Sequence, residues 1–193
     1  MMRMKCYPHD RIEKAIANDD PNLAMKEIIY NGIDPKKYMK QACYNNSYKT
    51  VDALLDITPL SFNELNTEAK KALEQNKYYV YETLITYCPD IVKKPLYHLP
   101  LSLQKEDKRF TEMILEYSNE ISQLALLYLC SRNEFEFLNS VFKNNQSIRN
   151  YETMWRDTML ETLIENNAFE SINILHSYPS YQPQNFTLKL KKI

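Results

Sequence analysis

The residues that most often perform enzyme chemistry, histidine and cysteine, are scattered in this chain. They are His9, His98, His176, Cys6, Cys43, Cys88 and Cys130. No histidine has an acidic or cysteine companion at metal-ligand spacing, and no two cysteines form a C-x-x-C pair. We therefore expect no cofactor, no metal site and no enzymatic activity. Unpaired thiols of this kind are typical of a reducing cytosol.

Glycine occurs only once, and this scarcity excludes several kinds of site. Gly32 is the single glycine among 193 residues. Phosphate-binding loops, dinucleotide fingerprints and nucleophile elbows all need glycines where the backbone turns sharply or approaches a ligand closely. Hairpin signals are also missing, so helix is the expected structure for nearly every segment.

The charges of the chain are nearly balanced. It has 24 Lys and Arg against 25 Asp and Glu, a net charge of −1. Broad binding to nucleic acid or to an anionic membrane needs a cationic excess, so both are disfavoured. The most apolar stretch, residues 124–130, is too short to cross a bilayer, and no apolar run follows Arg3 and Lys5 as in an export signal. We expect a cytoplasmic protein.

The elements that would position any site follow a pattern that recurs about every 30 residues. Each unit has a first helix, a polar turn and a second helix that closes on a hydrophobic pair. The turn markers are Asp20, Asn46, Asn76, Glu106, Asn133 and Asn167. The closing pairs are Ile28-Ile29, Leu54-Leu55, Leu84-Ile85, Ile114-Leu115, Val141-Phe142 and Ile174-Leu175. In the fourth unit, Pro95 and Pro100 leave a short first helix over 101–105. The pattern predicts a solenoid of six units.

Two stretches resemble the ankyrin repeats. Residues 42–55 resemble the helix-turn-helix core of that family, and residues 28–35 resemble its exit segment, in which Gly32 would supply a left-handed residue. Asn46, Asn76, Asn133 and Asn167 stand where the family usually has glycine, and asparagine tolerates the left-handed conformation. The family's Thr-Pro-Leu-His tetrad is absent. The resemblance implies an all-α helical solenoid of about six ankyrin-like repeats over 1–178, followed by a C-terminal tail, 179–193.

The resemblance also implies a binding surface. In ankyrin-type stacks, residues just before the inter-helix turn line a concave face that contacts other proteins. By alignment these residues, which we call the ladder, are Asn18, Asp19, Tyr44, Asn45, Glu74, Gln75, Gln104, Lys105, Ser131, Arg132, Glu165 and Asn166. Tyr44 and Arg132 are the expected anchors, because tyrosine and arginine contribute most to protein interfaces.

The glycine-poor, Asn- and Lys-rich composition resembles the ankyrin proteins of large DNA viruses and of intracellular bacteria. That resemblance implies a non-enzymatic module that binds a host protein, such as a signalling or ubiquitin-ligase component, in the host cytoplasm and inhibits or redirects it. Two other classes stay open: a helical-repeat protein that binds nucleic acid, and an enzyme with a site built on the helical stack. Self-association through tyrosine-rich surface is a further mode.

Overall fold

The computed structural model describes residues 7–93, 97–118, 123–144 and 153–177. All regular secondary structure in these ranges is helical, which confirms the predicted all-α class. The chain divides into two compact units, Met1–Asn119 and Glu120–Ile193. The predicted tail 179–193, Cys6 and the side chain of His176 lie outside the described residues. The described ranges contain no helix long and apolar enough to span a bilayer.

Thirteen helices form in these ranges. They are α1 (Pro8–Ala17), α2 (Pro21–Tyr30), α3 (Lys36–Tyr44), α4 (Tyr48–Ile57), α5 (Phe62–Glu74), α6 (Tyr78–Tyr87), α7 (Asp90–Lys93), α8 (His98–Ser102), α9 (Arg109–Tyr117), α10 (Gln123–Ser131), α11 (Phe135–Asn144), α12 (Thr153–Glu165) and α13 (Phe169–Ser177).

The helices pack in neighbouring pairs. In the first unit α1 packs against α2, α3 against α4, α5 against α6 and α8 against α9. Each pair also contacts the next one, first helix to first helix (α1, α3, α5, α8) and second helix to second helix (α2, α4, α6, α9). The second unit follows the same rule, with pairs α10/α11 and α12/α13 and the contacts α10 to α12 and α11 to α13.

The predicted closing pairs form much of the core. Leu54-Leu55 and Leu84-Ile85 are all at most 2% exposed, because each pair lies on the inner face of its helix. In the first pair Ile28 is buried, whereas Ile29 is 66% exposed. Ile29 precedes the helix end by one residue and points away from α1 and the core.

A left-handed residue ends the first helix in five pairs. These residues are Asp19 (φ 49°), Asn46 (φ 61°), Asn76 (φ 61°), Asn133 (φ 53°) and Asn167 (φ 53°). At Asn46, its N–H donates to Cys43 O (3.3 Å) and Ser47 N–H donates to Ala42 O (3.0 Å), which is the Schellman arrangement. The same two bonds recur at the other four turns. The prediction of left-handed asparagines is confirmed at all four positions, and that for Gly32 (φ 61°) is confirmed too.

All six turn markers lie between the two helices of their pair, but two of them, Asp20 and Glu106, are not left-handed. In the first pair the left-handed residue is Asp19, whereas Asp20 caps α2 by accepting from Leu23 N–H (3.0 Å). In the fourth pair Glu106 is not left-handed. There the first helix, α8, is short as expected but covers His98–Ser102 instead of 101–105, and residues 103–108 connect it to α9. Residues 103–108 contain no left-handed residue, so this connection lacks the turn that the other five pairs share.

The second, third and fourth pairs each donate a side-chain hydrogen bond to the end of the preceding first helix. Ser47 Oγ donates to Ile16 O, Lys77 Nζ to Tyr44 O and Lys105 Nζ to Glu74 O. The acceptors lie in the last turns of α1, α3 and α5, where carbonyls lack an intrahelical partner. The two lysines also place positive charge at the negative end of a helix dipole. The contacts between neighbouring pairs therefore include hydrogen bonds that cap the ends of the first helices.

The left-handed turn predicts a contrast between two adjacent asparagines. Asn46→Ala should lower the free energy of unfolding by about 1 kcal/mol, because alanine is strained at positive φ. Asn46→Gly should equal or exceed the wild type. Asn45→Ala is the matched control, since Asn45 is also exposed but has φ −79°, and its cost should stay within about 0.5 kcal/mol. Urea unfolding followed by circular dichroism measures all three, and equal losses for Asn46→Ala and Asn45→Ala would contradict the assignment.

Candidate functional site

The ladder residues lie at the ends of the first helices and in the turns that follow. Ten of the twelve are exposed, while Asp19 and Lys105 are half-buried. Tyr44, the last residue of α3, is 72% exposed. Ser131, Arg132, Glu165 and Asn166 belong to the second unit, and the other eight belong to the first.

Lys77 connects part of the ladder in the first unit. Its ammonium group contacts Gln75 Oε1 and Tyr44 O and lies 4.7 Å from the centroid of the Tyr44 ring, a cation–π geometry. Burial lowers the pKa of Lys77, with an opposing contribution from Cys43. Lys105 makes the corresponding contact with the backbone of Glu74 (2.6 Å). Sequence reasoning missed Lys77, although its position directly after a left-handed asparagine was a usable signal.

Asp19 has a structural role. Its carboxylate accepts from Thr50 N–H (3.0 Å) and Thr50 Oγ1 (3.1 Å), and therefore caps the N-terminus of α4 from the preceding pair. Ser47 is the N-cap residue of α4, but its side chain does not cap that helix. Its hydroxyl donates a hydrogen bond to Ile16 O instead. A related contact joins Ser171 Oγ to Asn133 Oδ1 (2.9 Å) in the second unit. Because the Asp19 carboxylate is already engaged, its proposed place in a binding surface is weakened.

Two adjoining cavities of about 330 and 300 Å³ lie between α3 and α5, and we call them together the α3/α5 groove. They share Lys40, Glu68 and Lys71. The larger is otherwise lined by Gln41, Cys43, Tyr44, Ala72 and Gln75, and the smaller by Lys36, Met39, Leu60, Asn63, Glu64 and Thr67. The groove thus includes two ladder residues, Tyr44 and Gln75, and extends the ladder along both first helices.

Both carboxylates of the groove are neutralised by lysines. Lys71 Nζ lies 2.9 Å from Glu68 Oε1, and Lys36 Nζ lies 2.7 Å from Glu64 Oε1. The Lys36 contact, followed by hydrogen bonds from Ser61, lowers the pKa of Glu64 to about 2. Within the described residues, Lys40 has no carboxylate partner, although it lines both cavities. The groove therefore carries a net positive charge at Lys40.

The histidines and cysteines that the structure describes take structural positions. Cys43 and Cys130 are buried, and burial raises the pKa of each thiol to about 12, so neither is a thiolate nucleophile at neutral pH. His98 is buried between α5 and α6: its Nε2 donates to Asn66 Oδ1 (3.0 Å) and its Nδ1 accepts from Tyr81 OH (3.1 Å). Burial, with the positive charge of Lys70 second, lowers the pKa of His98 to about 4. The described residues contain no cluster of three metal-ligand side chains.

A cluster of aromatic side chains lies at the starts of two second helices, α4 and α6. The Tyr48 and Tyr79 rings are 5.3 Å apart, and the Arg109 guanidinium lies 4.2 Å from the Tyr78 ring. Asp107 holds Arg109 through Nε (2.9 Å) and Nη2 (2.6 Å). The Arg109 guanidinium is thus already paired with a carboxylate of this chain. The tyrosine rings mainly pack α4, α6 and α9 against one another.

Comparison of the chain with protein-family models, curated proteins and solved structures finds no match. The ankyrin relationship therefore stays a prediction that rests on the residues quoted above.

The Asp19 cap predicts a loss of stability on removing the carboxylate. Asp19→Gly should lower the free energy of unfolding by about 1 kcal/mol, even though glycine relieves the left-handed strain. Asn46→Gly is the control, since it changes the same backbone position without removing a cap. In a Thr50→Val background the loss should be smaller, because the contact of the Asp19 carboxylate with Thr50 Oγ1 is already gone. Equal losses in both backgrounds, measured by urea unfolding, would contradict the pairing.

His98 predicts a specific pH dependence of stability. Because its folded pKa of about 4 is below the unfolded value of about 6.5, the unfolded chain binds more protons between these values. The contribution of His98 should be complete above pH 6.5 and should fall as the pH drops toward 4, by up to roughly 3 kcal/mol. His98→Gln should remove this dependence, whereas His9→Gln, at an exposed histidine, should keep it. Identical pH profiles for wild type and His98→Gln would overturn the assignment.

Proposed function

We propose that this chain is a non-enzymatic protein-interaction module, built as an ankyrin-like helical solenoid, that binds another protein through its ladder. The pairwise packing supports the solenoid, since within each of the two units every helix pair contacts the next pair through both helices. The left-handed turns support the ankyrin-like geometry, because they occupy the positions at which that family has glycine.

Tyr44 is the observation that carries the proposal. Its ring is 72% exposed, yet it is oriented by Lys77 and stands at the rim of the α3/α5 groove. A large aromatic side chain that is ordered before binding loses little conformational entropy in a complex, and such residues form interface hot spots. The surrounding Gln75, Lys71 and Gln41 provide polar groups suited to the rim of a protein interface.

The class of partner rests on the resemblance to viral and bacterial ankyrin proteins. That resemblance favours a host protein in the cytoplasm, such as a signalling or ubiquitin-ligase component, which the chain would inhibit or redirect. Arg132, exposed in the turn after α10, is the corresponding anchor in the second unit.

Quantitative affinity capture from a eukaryotic cell lysate tests the function. Tyr44→Ala should reduce recovery of the proteins that the wild type enriches by at least about tenfold, as expected for loss of an interface hot spot. Tyr30→Ala is the matched control, because Tyr30 is 85% exposed at the end of α2 and lies outside the ladder and the groove. Its recovery should equal that of the wild type.

Two results would contradict the proposal. One is equal recovery by the wild type and Tyr44→Ala. The other is the absence of any protein enriched by the wild type over a denatured sample. Circular dichroism and thermal melting of each variant would establish that the compared proteins are folded.

A further inference from the structure

The α3/α5 groove has two features that a partner would meet together. At one end the groove is lined by the exposed Tyr44 ring and by a floor of Cys43 and Ala72, which are 5% and 2% exposed. In the middle Lys40 lines both cavities. Lys36 and Lys71, the other two lysines of the groove, are matched by Glu64 and Glu68.

The spacing of Lys40 and Tyr44 limits the shape of the partner. The two residues are four apart on α3, which places them on the same face about 6 Å apart along the helix axis. Residues i and i+2 of an extended chain lie on one face about 6.6–6.8 Å apart. An extended segment can therefore contact both Lys40 and Tyr44 with two side chains that are two residues apart.

The charge of the groove indicates which side chain would meet Lys40. An acidic side chain there would form a charge-assisted contact with the one groove lysine that has no carboxylate partner among the described residues. A basic side chain would add to the positive charge of Lys36, Lys40 and Lys71. An apolar or aromatic side chain two residues away would pack against Tyr44 and the Cys43–Ala72 floor.

We propose that the α3/α5 groove binds an extended peptide segment of a partner protein that carries Asp or Glu two residues from an aromatic or large aliphatic side chain. The acid contacts Lys40 and the apolar side chain contacts Tyr44. This inference rests on the proposed function, since it names the chemistry recognised at the same surface.

Selection of random twelve-residue peptides displayed on phage, with the full chain as bait, tests the proposal. Enriched peptides should share an acidic residue spaced two positions from an apolar one. A synthetic peptide of the enriched sequence should bind the wild type in fluorescence anisotropy. Lys40→Glu should weaken it at least about tenfold, in line with the loss of a charged hydrogen bond. Lys26→Glu, at an exposed lysine of α2, makes the same charge change outside the groove and should leave binding within about twofold. Replacing the peptide's acid with lysine should restore binding to Lys40→Glu.

Several results would overturn the proposal. They are enriched peptides without an acid at this spacing, equal binding by the wild type and Lys40→Glu, and a selection that yields no binding peptide. Self-association of the wild type that Lys40→Glu abolishes in sedimentation velocity would instead assign the groove to a second copy of the chain. If Tyr44→Ala abolishes protein capture while Lys40→Glu does not, the groove chemistry is wrong and the proposed function stands.

Discussion

The left-handed residue at the end of a first helix is the constraint on which the helix pairs depend. It lets two backbone N–H groups fold back onto the last turn, so the chain reverses within three residues and the second helix packs on the first. Only glycine, asparagine and aspartate adopt this conformation at low cost, and the chain uses asparagine or aspartate at five of these turns. Where such a residue is missing, between α8 and α9, the first helix is short and the connection is longer.

The same helix ends link the pairs and form the candidate site. Lys77 satisfies the terminal carbonyl of α3 and also orients the Tyr44 ring, so a contact that stabilises the stack also orders a binding residue. Asp19 shows the opposite outcome, because its carboxylate caps α4 by accepting hydrogen bonds from Thr50 and from Lys49 N–H. Position in the ladder therefore does not by itself decide whether a side chain is available to a partner.

Much of the fold could be predicted from the sequence, because the signals are local. The turn marker Asn76 and the closing pair Leu84-Ile85 indicated a helix where α6 lies, and the asparagines at the turns could be expected to be left-handed. Asp19 and Asp20 could not be told apart, since both suit a turn and only the backbone angle distinguishes them. Exposure of Tyr44 was expected from its register, but its contact with Lys77, 33 residues later, depends on how successive pairs stack. The net charge of the α3/α5 groove also depends on this stacking, because Lys36 of α3 pairs with Glu64 of α5.

The most direct measurement of this account is the backbone conformation at the five left-handed turns in solution. Carbon-13 chemical shifts and scalar couplings of Asp19, Asn46, Asn76, Asn133 and Asn167 report the sign of φ. The account predicts positive φ at all five residues. Negative φ at these residues would remove the turn that sets the helix pairs and, with it, the groove and the ladder.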